Sequence, residues 1–493
     1  MRLRKRFIAL LAAAAAAAPA IADIPEHPDQ IAFPPLQFTP PAAADYRHTI
    51  GTSAGEVAVY MARSAEFPLI SVTFTFKGGD DLDPSDRAGL APAMASMMRR
   101  GGTTTVGAAD LDEEFDFLAA IAGARSGPTR TTASLSTLTA NFQQSFGLFM
   151  DMVRNPGFDA DRLTVYKEEQ MEVMKQRNDH PASILAREWR YLLWGDNSFM
   201  STLPTEASIA SATGADLRSM HKRIVHPGNL IISVTGDFDE QPMLDRLEQA
   251  LAGWPGGEPV GDPPAPDHRL VPGLYSYEKD IPQGRVDIGQ RSIRRDDPDY
   301  FPLLLMNRIL GGGGFTSRIV SRVRSDEGLA YSARSSLIPN VYFPGQFRAG
   351  FQSKNRTVAL AIKLILEEID GIRTSPVSAG ELETAQNALI ETFPQRFESK
   401  ARMLRTFVND EMTDRDPDYW NRYRDNVRSV TAQDIMAAAA KHLHPDQMAI
   451  LVVGKWEEIR GGDLEGRATM DEFFGGNVTA LEPRDPMTLK PRR

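Results

Sequence analysis

Apolar and polar residues recur along this chain with two different periods. Strict alternation over residues 69–77 predicts a strand with one buried face, whereas apolar residues every three or four positions over residues 142–153 predict an amphipathic helix. On this basis we predict strands at residues 57–61, 129–138, 230–235, 274–277, 285–290 and 330–337, and further helices at residues 89–100, 111–121, 161–177, 181–193, 213–224, 242–252 and 316–324. The mixture predicts an α+β fold, with mainly antiparallel sheets covered by helices.

The order of elements repeats, and the repeat is visible residue by residue near the end of each half. Residues 211–238 align with residues 429–456 without a gap. Thr213 and Thr431 each begin a helix with an aspartate three residues later, which is a carboxylate variant of the capping box. A His-Pro pair and a glycine match in the same register. We therefore predict two copies of one α+β domain, each of roughly two hundred residues.

Composition marks the boundaries between these parts. Glycine and proline dominate residues 253–273, which is typical of a linker between domains. The predicted organisation is a signal peptide at 1–22, an extended proline-rich arm at 23–46, an N-terminal domain at 47–252, the linker at 253–273, a C-terminal domain at 274–470 and a polar tail at 471–493.

The beginning of the chain has the pattern of a secretory signal peptide. Basic residues precede an Ala/Leu-rich run that is too short to span a bilayer, and a small-residue cleavage site follows. We therefore expect export to a bacterial periplasm, with no membrane span after cleavage. The net formal charge of −10 argues against nucleic acid as a partner, and the absence of cysteine excludes disulfides and thiolate metal sites.

Candidate chemistry is concentrated in residues 310–332, LGGGGFTSRIVSRVRSDEGLAYS. A helix ending near Arg324 and a strand starting near Tyr331 would let both side chains face one cleft. Phosphate-binding glycine loops follow a strand and precede a lysine or a further spaced glycine, and this loop does neither. From residue types alone, an equal alternative is that Arg324 complements its helix terminus and Tyr331 is a half-buried strand residue. The four glycines of the loop are Gly311, Gly312, Gly313 and Gly314.

The same stretch resembles the C-terminal-half signature of the insulinase/pitrilysin family of inverzincin metallopeptidases, in its mitochondrial-processing-peptidase-like branch. The resemblance implies that Arg324, Tyr331 and the glycine loop bind the substrate peptide. It also implies that the Arg and Tyr donate hydrogen bonds to the oxyanion that forms near a zinc ion held elsewhere. In this family two α+β halves close like a clamshell around the peptide.

The family keeps its zinc in a Gly-x-Ala-His-x-x-Glu-His-Met motif, and residues 89–103 match the frame of that motif without its chemistry. Pro92 and Ser96 stand where the two histidines would be, and Ala95 stands where the general-base glutamate would be. By resemblance, a further carboxylate ligand would fall near Glu172. We interpret Glu172 as an exposed helix carboxylate, and we expect this chain to bind no metal.

Two other short motifs are interpreted as structural. Residues 51–55 match the Gly-x-Ser-x-Gly nucleophile elbow, but a predicted strand follows this segment, whereas the elbow requires a preceding strand and a following helix. His442 and His444 precede a proline turn, and the sequence offers no nearby third ligand.

The resemblance leads to one hypothesis and two alternatives. Enzymes of this branch can be built from two chains, so we predict an exported, zinc-less subunit of a heterodimer. Its homologous partner would hold the zinc, and a peptide or unfolded polypeptide would be the substrate. The first alternative is a non-enzymatic peptide-binding or structural subunit, like the core subunits that resemble this family in respiratory complexes. The second is a peptidase active alone through an unrecognised metal site.

Overall fold

The computed structural model describes residues 38–492. The predicted signal peptide, and all but the end of the predicted proline-rich arm, lie outside the described residues. The described chain forms two six-stranded sheets, each covered by helices. This confirms the predicted α+β fold with two domains. Among the described residues, no helix combines the length and apolarity that crossing a bilayer requires.

The first sheet consists of six strands from the N-terminal half: β1 (Arg47–Thr52), β2 (Gly55–Arg63), β3 (Leu69–Lys77), β4 (Ile121–Ser126), β5 (Arg130–Leu138) and β6 (Leu230–Gly236). Their order is β1-β2-β6-β3-β5-β4, and neighbours are antiparallel except β2 and β6. The predicted alternation is observed in β3, where Val72, Phe74 and Phe76 are fully buried. Burial of these side chains against the covering helices fixes the register of the sheet.

The second sheet repeats this arrangement with β7 (Gly273–Glu278), β8 (Gln283–Arg291), β9 (Ala330–Ile338), β10 (Gln346–Lys354), β11 (Ala449–Gly454) and β12 (Val478–Ala480). Its order is β12-β7-β11-β8-β10-β9, and the parallel pair β7/β11 takes the place of β2/β6. The outer strand β12 comes from residues 471–493, the segment interpreted from sequence as a polar tail. The C-terminal segment is therefore part of the sheet.

Sixteen α-helices lie within the described residues: α1 (Leu90–Arg100), α2 (Ala108–Phe117), α3 (Phe142–Arg154), α4 (Ala160–Lys175), α5 (Pro181–Trp194), α6 (Glu206–Ser211), α7 (Gly214–Ile224), α8 (Glu240–Leu251), α9 (Tyr300–Asn307), α10 (Arg318–Val320), α11 (Val358–Thr374), α12 (Ala379–Thr392), α13 (Lys400–Met412), α14 (Tyr419–Ser429), α15 (Ala432–His442) and α16 (Trp456–Arg460). One prediction is wrong at residues 111–121. The helix there ends at Phe117, and Ile121 begins β4. The small residues of β4 carry no apolar alternation, so the sequence offers no strand signal there.

The two halves exchange a helix. Helix α5 from the N-terminal half packs on β8 and β11 of the second sheet, whereas α13 from the C-terminal half packs on β2 and β6 of the first. The indole N–H of Trp189 on α5 donates a 2.9 Å hydrogen bond to Gln346 of β10. Conversely, Glu411 on α13 accepts a bidentate interaction from Arg47 (2.8 and 2.9 Å) and a hydrogen bond from Tyr60. Each half therefore completes the packing of the other.

Candidate functional site

The segment that carries Arg324 is a chain of tight turns packed beside β9. A π-helical turn (Arg308–Gly312) follows α9, and a second one (Ser321–Asp326) follows the single α-turn of α10. The sequence predicts one helix over residues 316–324, and the structure divides it into these shorter elements. Gly328 then adopts a φ of +63°, a conformation that glycine reaches without strain, and turns the chain into β9.

The glycine run is explained by close packing. A Cβ atom at Gly311 would lie 2.5 Å from the backbone nitrogen of Ser335 on β9, and one at Gly313 would lie 2.5 Å from the carbonyl oxygen of Arg308. A side chain at Gly311 would push the turn away from the strand, and one at Gly313 would clash with the backbone of the turn itself. Gly311 therefore sets how closely this segment approaches β9. Their predicted contact with substrate stays a prediction.

Arg324 and Tyr331 lie together, as the sequence predicts. The guanidinium carbon of Arg324 is 4.8 Å from the ring centre of Tyr331 and 4.5 Å from that of Phe315. Both rings are open to solvent, with 85% of Tyr331 and 69% of Phe315 exposed. Arg324 thus makes cation–π contacts with two aromatic rings, which a planar guanidinium is well suited to form. The interpretation of Tyr331 as a half-buried strand residue is wrong.

The hydrogen-bonding capacity of this pair is unused. Among residues 38–492 the guanidinium of Arg324 makes no hydrogen bond or ion pair, and neither does the Tyr331 hydroxyl. The neighbouring Arg322, by contrast, faces Glu367 at 3.9 Å. Sequence reasoning missed Phe315, although an exposed aromatic residue directly after four glycines is the signal that could have found it. The three side chains form an exposed site that can donate hydrogen bonds to an acceptor.

An ion pair anchors this segment to α12. Arg318 donates hydrogen bonds of 2.6 and 3.0 Å to the two carboxylate oxygens of Glu381. Glu381 also accepts from the backbone and hydroxyl of Ser378 in the capping box of α12. Arg318, as the largest influence, lowers the pKa of Glu381 to about 2. The carboxylate is therefore strongly stabilised in its charged form.

Replacing Glu381 by glutamine is expected to lower the free energy of unfolding by about 1–2 kcal/mol at neutral pH, because charge-assisted hydrogen bonds are lost. Since the folded pKa is depressed, the contribution is complete above the unfolded pKa of 4.5 and is lost as the pH falls toward about 2. Urea unfolding of wild type and variant across this acidic range measures the effect. If the unfolding free energies of wild type and variant differed by the same amount at every pH, the effect would come from packing and not from the charge of Glu381.

Helix α1 carries the predicted degenerate motif. Ala95 is fully buried, whereas Pro92 and Ser96 lie one turn apart on the partly exposed face. None of the three side chains offers an imidazole or a carboxylate, so a zinc ion does not fit these positions. An ion pair joins α1 to α4 at its C-terminal end, where Arg100 donates two 2.7 Å hydrogen bonds to Glu169.

Comparison with known proteins agrees with this geometry. The sequence model of a family described as the peptidase M16 inactive domain matches residues 211–389, which include Arg324 and Tyr331. A Helicobacter pylori protein named non-peptidase homolog YmxG is 24% identical over 361 residues, covering 72% of this chain and 82% of that protein. The crystal structure of a peptidase M16 inactive domain from Pseudomonas fluorescens aligns with a TM-score of 0.73 at 25% identity, covering 83% of this chain and 97% of that one.

Residues 211–389 belong to the M16, or insulinase, family of peptidases. The chain resembles its zinc-less members, because the motif positions on α1 hold Pro92, Ala95 and Ser96. A chain of complex III2 from Candida albicans has the same fold, with a TM-score of 0.65 at 14% identity. The M16 fold therefore covers most of the described chain, while the residues that would bind zinc are absent from α1.

Glu172, the only sequence candidate for a further zinc ligand in this M16 chain, is a surface residue. Its side chain is 66% exposed and pairs at 2.5 Å with Lys175 on the same helix, α4. This confirms the interpretation of Glu172 as an exposed helix carboxylate. Among the described residues, no contact joins Glu172 to the degenerate motif on α1.

His442 does have carboxylate neighbours, Asp297 and Asp299, which the sequence could not show because they lie far away in the chain, in the turn before α9. Its Nε2 atom is 2.7 Å from Asp299, and Asp297 completes a group whose ligand atoms lie within 4.8 Å of one another. The ammonium of Lys441 binds the same oxygen of Asp299 at 2.6 Å. The two basic side chains hold the pKa of Asp299 below its usual range. The cluster is satisfied as an ion pair, which supports the structural interpretation of His442.

Asp83 fixes the start of α1. Its carboxylate accepts hydrogen bonds from the backbone N–H groups of Gly89 (2.7 Å) and Ala91 (2.8 Å). Burial is the dominant influence and raises the pKa of Asp83 to about 7. The folded chain therefore holds this proton more tightly than the unfolded chain. The stabilising contribution is complete below the unfolded pKa of 3.8 and is lost as the pH rises through about 7.

Replacing Asp83 by asparagine is expected to change how stability depends on pH. Between about pH 5 and about pH 8 the wild type should lose roughly 1–2 kcal/mol of unfolding free energy relative to the variant, whose amide does not ionise. Urea unfolding of both proteins at the two pH values measures the difference. If the unfolding free energies of wild type and variant differed by the same amount at both pH values, this would contradict the raised pKa of Asp83.

Proposed function

We propose that this chain is the zinc-less subunit of a two-chain M16 metalloendopeptidase. In this proposal Arg324 and Tyr331 complete the active site of a homologous, zinc-bearing partner subunit. The observation that carries the proposal is the Arg324 guanidinium, which lies over two exposed rings and has no acceptor among the described residues. An unpaired guanidinium beside an unpaired phenol is suited to bind an oxygen that becomes negatively charged during acyl transfer.

The two side chains have distinct roles in peptide hydrolysis. Arg324 has several N–H donors in a planar fork, so it can hold a peptide carbonyl and keep its hydrogen bonds as that oxygen gains charge. Tyr331 donates its O–H to the same oxygen or to the neighbouring backbone. Zinc in the partner would supply the activated water. The stacking of Arg324 on Phe315 and Tyr331 restricts its rotamers, so less entropy is lost when it binds the oxyanion.

The surroundings of the pair support presentation to another molecule. Phe315 and Tyr331 are large aromatic side chains left largely exposed, and such residues are enriched at binding surfaces. The segment beneath them is fixed by the Arg318–Glu381 pair and by an ion pair between Arg467 and Glu327 at 2.7 Å. A rigid base under exposed donors favours a preorganised site over a mobile loop.

Reconstitution tests this proposal. The chain and a zinc-bearing M16 homologue from the same organism are purified separately, their zinc content is measured, and hydrolysis of unfolded polypeptide is assayed for each chain and for the mixture. We expect negligible zinc in this chain, weak or no activity of either chain alone, and activity of the mixture. Stoichiometric zinc in the isolated chain, or full activity of the homologue alone, would contradict the proposal. Activity indifferent to Arg324 and Tyr331 would favour a structural subunit.

We also propose that the chain acts in the periplasm, as its N-terminal sequence suggests. Fractionation of cells that express the full chain tests this. Recovery of a shortened chain in the periplasmic fraction is expected, and a full-length chain in the cytoplasm would contradict it.

A further inference from the structure

A second polar site lies on the other face of β9, away from Arg324. A cavity of about 340 Å³ opens between the exchanged helix α5 and strands β8, β10 and β9. Three arginines line it, one on each of the three strands: Arg285, Arg348 and Arg334. The helix contributes only small or apolar side chains there, including Ala182 and Leu185. The cavity is therefore basic on the side of the strands and apolar on the side of the helix.

Strand register explains why there is room for a ligand. Gly350 of β10 pairs with Asp287 of β8 on one side and with Arg334 of β9 on the other. Because Gly350 has no side chain, the space above it, between Asp287 and Arg334, stays open. A Cβ atom at Gly350 would lie 2.5 Å from the Oδ1 atom of Asp287. Glycine is thus required for the floor of the pocket.

The charges around the pocket do not balance. Asp287 is 5% exposed and accepts a 3.1 Å hydrogen bond from Arg348. The guanidinium groups of Arg285 and Arg334 make no hydrogen bond or ion pair within residues 38–492. Burial, as the largest influence, raises the pKa of the Asp287 carboxyl, which weakens its ability to neutralise the arginines. Three guanidinium groups face one buried carboxyl, in a chain whose net charge is −10, so the pocket is a local site of attraction for anions.

The pocket adjoins a free sheet edge. β9 is the outermost strand of the second sheet in the described structure, so one side of its backbone has no strand partner. Such an edge accepts an extended peptide through main-chain hydrogen bonds. Ser332, Arg334 and Ser336 line the pocket from alternate positions of β9. An added strand would likewise direct every second side chain toward the arginines.

We propose that β9 binds an extended peptide as an added strand and that the arginine pocket takes a carboxylate of that peptide. The carboxylate is either the side chain of an acidic residue or the free C-terminus, since both present the same two oxygens to guanidinium forks. Because Tyr331 lies at the start of the same strand, one peptide can contact both sites through successive residues. The inference goes beyond the proposed function, because the isolated chain would bind the peptide without its partner.

Fluorescence anisotropy with the isolated full chain tests this inference. The probe is a labelled, β-prone peptide of about eight residues in three forms: a central Glu with an amidated C-terminus, a central Gln with a free C-terminus, and a central Gln with an amidated C-terminus. We expect one carboxylate-bearing form to bind about tenfold more tightly than the neutral form, the range for a charge-assisted contact. Which form it is identifies the source of the carboxylate. Equal affinity of all three peptides would overturn the inference.

Variants separate the pocket from general charge effects. Arg334→Gln and Arg285→Gln should each remove most of the preference for the carboxylate. Arg428→Gln is the matched control, because it removes one positive charge from an exposed pair with Asp425 on α14. A preference that survives both pocket substitutions, or that Arg428→Gln also abolishes, would contradict the assignment. Peptide hydrolysis by the reconstituted pair is a separate readout, so this result is independent of the proposed catalytic role.

Discussion

Replacing Arg324 by alanine is expected to lower kcat of the reconstituted pair by about 10²–10³-fold, the range for loss of one oxyanion donor. The substitution removes the guanidinium that lies 4.5 and 4.8 Å from the two exposed rings. In this account the contact with the substrate oxygen strengthens only as charge develops. The loss should therefore fall on kcat, with KM changing less. Steady-state hydrolysis of a fluorogenic peptide by the pair measures both constants.

Arg322 provides a matched control in the same segment. It lies two residues before Arg324 and faces Glu367 at 3.9 Å. Arg322→Ala should leave kcat within about twofold, because an exposed ion pair contributes little. Tyr331→Phe, which keeps the ring and removes only the hydroxyl, should lower kcat less than Arg324→Ala does. Equal activity of the Arg324 and Arg322 variants would remove the catalytic role from Arg324.

Replacing Glu188 by alanine is expected to lower the free energy of unfolding by about 3–5 kcal/mol, because it leaves the buried guanidinium of Arg187 without a carboxylate partner. Glu188 lies on the exchanged helix α5 and is 2% exposed. It accepts a 2.8 Å hydrogen bond from Arg187 and a 3.1 Å hydrogen bond from Arg484 of the C-terminal segment. One carboxylate thus joins the exchanged helix to the end of the chain. Urea unfolding followed by tryptophan fluorescence measures the loss.

Glu172 is the matched control for this prediction. Its side chain is 66% exposed and, within the part of the chain that the structure describes, pairs only with Lys175 on its own helix. Glu172→Ala should therefore change the free energy of unfolding by no more than about 0.5 kcal/mol. A comparable effect of both substitutions would show that the Glu188 network does not stabilise the fold beyond an ordinary surface ion pair.

Much of the fold is predictable from the sequence because it depends on local signals. The alternation in β3 and the paired caps at Thr213 and Thr431 act within a few residues, and the structure contains both capping boxes. The helix exchange is different. The sequence of α5 shows an apolar face, but nothing local says whether its own sheet or the other one covers it. The final strand β12 is equally hidden, since three exposed residues carry no strand pattern.

The two candidate sites also differ in whether local sequence reveals them. Arg324 and Tyr331 are seven positions apart, so a glycine turn between helix and strand is enough to bring them together. The arginine pocket depends on Arg285, Arg334 and Arg348, which become neighbours only through the register of three strands. Pairing register is set by the whole sheet, and no short segment encodes it. The site at Arg324 and Tyr331 is therefore predictable from the sequence, whereas the arginine pocket is not.

Titration of the zinc-bearing partner with this chain distinguishes a subunit that completes the active site from one that is only structural. A fixed amount of partner is mixed with increasing wild-type chain, or with a chain carrying both Arg324→Ala and Tyr331→Phe, and peptide hydrolysis is recorded. The wild-type chain is expected to raise activity to saturation at equal amounts of the two chains. The double variant should bind equally well, give almost no activity, and inhibit when it competes with wild type. Equal stimulation by the wild-type and doubly substituted chains would show that Arg324 and Tyr331 do not take part in catalysis.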